Sequence, residues 1–179
     1  MSDKLRGISL GSPAQTKVAN KTRDKVRKLL KQGFGDKFRE VDGAFFGVQG
    51  STVVMVRVMP WESADDAQVV IGAGVAMNTT LDDECMRFLL EKNSQVVLGA
   101  FGVEGGNSIV FRHTIVGSKI DKNELVASVR AVSSTADLYD DIITEKWGGV
   151  RVTEAAHLAA LGGDTAKPPT AGSDDSDWV

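Results

Sequence analysis

Cysteine is almost missing from these 179 residues: Cys85 stands alone, which excludes an intramolecular disulfide and fits a reducing compartment. Histidine is nearly as scarce. His113 and His157 lie too far apart in sequence to offer the ligand spacing of a zinc or iron site. No apolar run approaches the ~18 uninterrupted residues of a membrane span, so no membrane partner is expected. The opening stretch MSDKLRGISLGSPAQ lacks a hydrophobic signal-peptide region, and a cytoplasmic location is the expectation. The form GxxxxGK[ST], which cradles phosphates, is absent as well. What remains is ordinary in bulk: 42% apolar and 25% charged residues, enough chain for one domain with a sizeable core and a tail.

One stretch invites a cofactor reading. In VVIGAGVAMN, Val69 to Asn78, an apolar run flows into Gly72-Ala73-Gly74. A dinucleotide turn needs a third small residue where helix and strand pack closest, and here that position is Met77. Phe45 to Val58 upstream reads as a hairpin rather than the first strand of a βαβ unit. No cofactor is therefore expected. Gly72 and Gly74 share a parity, so on a strand they leave one face bare. Either something packs there closely or the strand bends there.

The element pattern follows from periodicity. Ser12-Pro13 resembles an N-cap and first helical residue, and Ala14, Val18, Thr22, Val26, Leu29 and Leu30 recur at helical spacing until Gly33. Phe45 to Val48 and Ser51 to Val58 form two strands joined at Gln49-Gly50, and Ala67 to Ala76 is a third. Thr80 with Asp83 has the capping-box spacing for a helix with Leu81, Cys85, Phe88 and Leu89 on one face, ending near Asn93. Gln95 to Val103 and Asn107 to Val116 are two more strands. Asp121-x-x-Glu124 opens a long helix with Leu125, Val129, Val132, Ala136, Ile143 and Trp147 along one side, closed by Gly148-Gly149. The expectation is an α+β domain over residues 12–150, with a five-stranded antiparallel sheet, helices packed on it, and the order α-βββ-α-ββ-α. Residues 1–11 are expected to be a flexible start, 151–161 a short helix, and 162–179 a disordered acidic tail.

Charge is unevenly spread. Residues 1–39 carry eleven Lys/Arg against three Asp, although the whole chain has net charge −3. Lys17, Lys21, Lys25 and Lys28 fall at i, i+4, i+8 and i+11, one face of the first helix. Arg23, Arg27 and Lys31 form a second row. Three readings stand. The face is solvated or pairs with the acidic remainder of a second copy, it meets an acidic protein partner, or it neutralises nucleic-acid phosphates. No aromatic residues are interleaved to stack bases, which places nucleic acid last.

The stretches LDDECMRFLLEKNS, LGAFGVEGGNSIVFRHTIVG and KNELVASVRAVSSTADLYDDIITEKWGG, in this order, resemble the YbjN family, a branch of the type III secretion chaperone-like fold. The likeness runs over about Ser12 to Val150. It implies a protein-binding domain, often dimeric and in some cases a regulator, with no chemistry to carry over to any residue.

The remaining candidates read as structural. His113 shares a strand face with Ile109, Phe111 and Ile115, and Cys85 lies on a buried helix face. Asp82, Asp83 and Glu84 complement a helix N-terminus, and Asp140-Asp141 are expected on a solvated helix face. No catalytic group emerges, and a non-enzymatic domain binding a protein or peptide is expected, with the basic nucleic-acid binder as the alternative. Its partner-binding candidates are Lys17, Lys21, Lys25 and Lys28, Trp61 in the connection Pro60-Trp61-Glu62, and the terminal Trp178 and Val179. The tail is expected to solubilise; the sharper alternative is a short linear ligand anchored by Trp178.

Overall fold

Among the described residues, three hairpins that turn through glycine and three amphipathic helices set the architecture. The computed structural model describes residues 13–50, 52–61 and 63–151. Helix α1 (Pro13–Phe34) is followed by strands β1 (Phe38–Val41), β2 (Ala44–Gln49), β3 (Thr52–Trp61) and β4 (Asp66–Met77). Then come α2 (Asp83–Asn93), β5 (Ala100–Glu104), β6 (Ser108–Val116), α3 (Lys122–Trp147) and the two-residue β7 (Val150–Arg151). The sheet is seven-stranded, in the order β1-β2-β3-β4-β6-β5, with β7 on β4. Every pairing is antiparallel.

The fold class is the expected one, with two strands more than expected. The first, β1, turns into β2 through Asp42 and Gly43, both at positive φ (49° and 76°). That backbone suits a tight hairpin, and Asp-Gly is its preferred sequence. The second, β7, exists only because the chain leaving α3 meets Ala76 and Met77. The predicted strand start at Gln95 is corrected to Ala100. Gly99, at φ 88°, brings the chain in so closely that a Cβ there would lie 2.6 Å from the Arg112 carbonyl oxygen. Asn93 then closes the edge strand: its Oδ1 accepts from Phe101 N–H at 2.6 Å and its Nδ2 donates to Phe101 O at 3.3 Å.

Helix ends differ in detail. α1 runs past Gly33 to Phe34, and Gly35 at φ 64° takes the left-handed position that stops it. Gly33 instead lets α3 approach, since a Cβ there would collide with Val126. The cap of α2 is Asp82, whose Oδ1 accepts from Cys85 N–H at 2.8 Å. Thr80 stands two residues before that cap, because α2 begins at Asp83, and its N–H donates instead to the Trp147 carbonyl at 2.9 Å. Asp121 caps α3 as expected by accepting from Glu124 N–H, and Gly148 ends it. Ser12, the expected short helix at 151–161 and the tail at 162–179 lie outside the described residues, apart from Arg151.

The core forms between the helices and one face of the sheet. Ala19, Val26, Leu30 and Phe34 of α1 and Leu125, Val129, Val132, Ala136, Ile143 and Trp147 of α3 are buried there. They meet Val54, Val56 and Val58 of β3, Val69 and Ile71 of β4, and Ile109, Phe111 and Ile115 of β6. Burying each Val, Leu, Ile or Phe among them stabilises by about 1.5–3 kcal/mol. Asp140 corrects the reading of a solvated carboxylate pair. It is only 8% exposed, in the buried row with Ala136 and Ile143. Its neighbour Asp141 is half-buried and ion-paired with Arg151.

Candidate functional site

Strand alternation sends every second residue of the sheet away from α1 and α3. On β3 those residues are Val53, Met55, Arg57 and Met59, and on β4 they are Gln68, Val70, Gly72 and Gly74. The register aligns them: Phe46 is opposite Met55, Met55 opposite Gly72, and Gly72 opposite Arg112. Next to this row, Arg57 faces Val70. Gly72 carries no side chain between Met55 and Arg112, so the row dips there. The result is a depression of about 450 Å³, lined by Phe46, Met55, Met59 and Val70 and edged by Arg57 and Arg112.

Of the two readings of the glycine pair, the structure shows, among the described residues, the irregular strand rather than a closely packed partner. Gly72 and Gly74 lie within an antiparallel strand and bare its outer face, and the β4–β6 register shifts between Gly74 and Ala76. No βα turn follows them; β4 runs on to Met77, and α2 begins at Asp83. Arg112 reaches Glu104 Oε1 at 2.6 Å, whereas Arg57 has no ion pair among the described residues.

The predicted site residues divide between two sides of the molecule. Trp61 continues the outward parity of Arg57 and Met59 and stands half-buried at the far end of the open face. Lys17, Lys21, Lys25 and Lys28 are exposed on α1, whose opposite side packs into the core. The lysines thus lie across the sheet from the depression, and the structure does not bring the two features together. Lys25 Nζ donates to the Ser118 carbonyl at 3.3 Å. The second basic row is partly neutralised, with Arg27 held by Asp24 at 2.5 Å and Glu40 at 2.7 Å, and Lys31 by Asp36 at 3.2 Å. Trp178 and Val179 lie outside the described residues.

The titratable candidates are structural in setting. His113 is half-buried on the inner face, opposite Ile71. Burial lowers its pKa, and Glu124 opposes that weakly. Burial pushes the Cys85 thiol up, with Asp82 adding to the effect and Lys146 opposing it, which keeps the thiolate scarce. Burial also raises the Asp140 carboxyl, against the pull of Arg151. Asp66 goes the other way: burial alone would raise it, but hydrogen bonds from the Ser118 hydroxyl and the N–H groups of Ala67 and Ser118, with Lys119 nearby, outweigh burial. Among the described residues no three His, Cys, Asp or Glu side chains converge as a metal site would require. Nor is any helix among them long and apolar enough to cross a membrane.

Residues 20–155 match the model of the family described as "T3SS (YopN, CesT) and YbjN peptide-binding chaperone 1". The chain belongs to that family. Ten solved chains match it in structure. One is from the crystal structure of the ExsC–ExsE complex, at 16% identity and a TM-score of 0.53, covering 68% of this chain and 95% of that one. Another, an uncharacterized protein from Methanothermobacter thermautotrophicus, has 16% identity and a TM-score of 0.43, covering 71% of this chain and 99% of that one. No curated protein matches. The family is a peptide-binding one, which agrees with the expected protein or peptide partner, and the ExsC–ExsE likeness supports the fold.

Sequence reasoning missed Phe46, Met55, Arg57, Met59, Val70 and Arg112. A signal for the β3 members was present. Val53 to Met59 reads V-V-M-V-R-V-M, apolar at both parities save one arginine. A strand of that kind belongs to a sheet with both faces in use.

Proposed function

We propose that this chain is a non-catalytic, cytoplasmic peptide-binding chaperone or adaptor of the YbjN type, and that its open sheet face receives an apolar partner segment. The observation that carries this reading is the depression at Gly72, where Phe46, Met55, Met59 and Val70 form an apolar surface with Arg57 and Arg112 at its edges. Methionine suits such a role because its flexible, polarisable side chain fits anchors of differing shape. The two arginines favour a segment with carboxylates beside its anchors.

Self-association fits the same reading. On α2, Met86 is 44% and Leu90 70% exposed, four residues apart on one helical face. That pair is where a second copy would pack, in an isologous contact.

Selection from a displayed random-peptide library provides the test, comparing the wild type with Met55→Glu and Met59→Glu. Enriched peptides should be apolar with acidic flanks and should bind either variant roughly ten-fold more weakly or worse. Met86→Glu should leave their affinity intact. Equal binding to wild type and both face variants, with melting curves showing all folded, would overturn the assignment of the face. The nucleic-acid alternative rests on Lys17, Lys21 and Lys28, which have no ion pair among the described residues; tight binding of duplex DNA at physiological salt would favour it.

A further inference from the structure

We propose that the partner segment binds the open face as an acidic amphipathic α-helix laid lengthwise over β4, with its largest apolar anchor above Gly72 and Gly74. The inference rests on reading that face as a peptide site and adds the conformation and charge of the ligand.

The position of the depression in the sheet carries the argument. It lies over β3, β4 and β6, the central strands of the order β1-β2-β3-β4-β6-β5. From Gln68 to Ala73, β4 is paired with β3 on one side and with β6 on the other. Its N–H and C=O groups are thereby engaged within the sheet, and none points up into the depression. Every residue of a bound segment, proline excepted, brings one N–H and one C=O of its own. Lying extended over the centre of the sheet, such a segment would bury those groups without backbone partners. The charged side chains at the rim, Arg57, Glu104 and Arg112, are too few to replace them. A helix satisfies the same groups internally and leaves only side chains to be matched. An extended segment finds backbone partners instead at β1 or β5, the outer strands of the path.

The dimensions suit a helix. Strands β3 and β6 stand about 10 Å apart across β4, and an α-helix with its side chains is about 10–12 Å across. Val53, Met55 and Arg57 form one wall, and Val110 and Arg112 form the other. Between them the floor descends from Val70 to Gly72 and Gly74. A helix comes closest at the glycine pair, so its bulkiest side chain fits there. From Gly74 to Gln68 the outward residues of β4 run for roughly 20 Å, the length of about thirteen helical residues. Apolar anchors at i, i+3 or i+4 and i+7 follow that line.

The two walls differ in charge. Arg57 has no ion pair among the described residues, whereas Arg112 is already held by Glu104 at 2.6 Å. A carboxylate on the helix flank toward β3 therefore gains a charge-assisted hydrogen bond from Arg57. On the flank toward β6 it competes with Glu104 and gains less.

Two synthetic peptides of identical length and composition test the proposal. One spaces its leucines at i, i+4, i+7 and i+11 with glutamates along one flank, and the other alternates leucine with polar residues. In fluorescence anisotropy the full chain should bind the helix-patterned peptide about ten-fold more tightly or better. A central proline should weaken that peptide roughly a hundred-fold, and its bound Cα chemical shifts should be helical. Met55→Glu should weaken it about ten-fold, and Arg57→Gln about five-fold. The Arg57→Gln effect should vanish when the peptide's glutamates are replaced by glutamine. Melting curves check that both variants are folded.

A preference for the alternating peptide, a tolerated central proline or extended bound shifts, with binding still lost in Met55→Glu, overturns the helix and leaves the peptide site standing. No saturable binding of the helix-patterned peptide also overturns the helix, and the library selection then decides the peptide site by itself. Binding that ignores both Met55→Glu and Arg57→Gln lies elsewhere on the molecule and overturns both readings. An Arg57→Gln effect that persists with the glutamine peptide overturns the acidic character of the ligand.

Discussion

The two faces of this sheet are made of similar residues and meet opposite fates. On β3, the inward Val54, Val56 and Val58 are buried under α1 and α3, while the outward Val53, Met55 and Met59 remain half-buried with no element above them among the described residues. An antiparallel sheet with one solvated face ordinarily alternates apolar and polar residues. Here the outward row is apolar on β3 save Arg57, and stripped to glycine on the neighbouring stretch of β4. Stability therefore resides on one side of the strands, and the recognition proposed above would use the other. A substitution should report which side it strikes.

The largest contrast comes from cutting the inner face. Ile71→Ala removes a fully buried side chain packed between β3, β6 and the helices. It should cost about 2–5 kcal/mol in chemical denaturation. Met55→Ala, one pleat away but on the outer face, should cost under about 1.5 kcal/mol and weaken the library-selected peptides instead. Equal stability losses at the two positions would erase the distinction between the faces.

Asp140 is the flaw in the inner layer, and its effect depends on pH. Because burial raises its folded-state pKa, the folded chain holds that proton to higher pH than the unfolded chain does. Stability therefore falls as pH rises from the ordinary carboxylate value through the folded pKa, and the full penalty is present above that folded pKa. Asp140→Asn should raise stability at pH 7 by about 1 kcal/mol, or about 2–4 °C in Tm. The advantage should shrink at pH 3, where both states of the wild type are protonated. Melting curves at the two pH values measure it, and a variant less stable than wild type at pH 7 would show the carboxylate to be well paired.

Gly72→Ala sharpens the comparison by separating its two terms. A Cβ there would lie 3.5 Å from Arg112 Cγ and 3.8 Å from the Phe111 carbonyl oxygen, ordinary contact distances. The strand interior gains about 0.5–1 kcal/mol from losing glycine's backbone freedom. The same methyl begins to fill the depression, so peptide affinity should fall as stability rises. Denaturation and peptide binding measured on one preparation would test both signs.

How much of this was legible beforehand depended on how local the cause was. α3 could be read from its own residues, because Asp121 caps it, Gly148 ends it and its apolar line is internal. The bare glycine face could be read for the same reason: parity within one strand suffices. The Asp42-Gly43 hairpin was equally local, and β1 was missed only because FREV is short and half-polar. Other features were set by distant partners. Asp82 rather than Thr80 caps α2 because the helix begins only at Asp83, after Thr80 N–H has tied the chain to Trp147, and β5 starts at Ala100 because Gly99 must clear Arg112. Arg112 arrives opposite Gly72 only through the β4–β6 register, which no local pattern specifies.

The smallest effect on the fold is expected from the basic face of α1. Lys17, Lys21, Lys25 and Lys28 are exposed. Among the described residues, the one hydrogen bond they make, Lys25 to the Ser118 carbonyl, is a surface contact of 3.3 Å. Changing all four to Gln should move stability by no more than about 0.5 kcal/mol, the usual range for surface sites without buried partners. Because the face lies across the sheet from the depression, equilibrium affinity for the library-selected peptides should also hold. What should change is the on-rate of an acidic partner, with the difference vanishing at high salt as screening removes the long-range field. Stopped-flow association at two ionic strengths makes that measurement. If the quadruple variant loses peptide affinity at equilibrium as well, the basic face is itself part of the binding surface, and recognition uses both sides of the molecule.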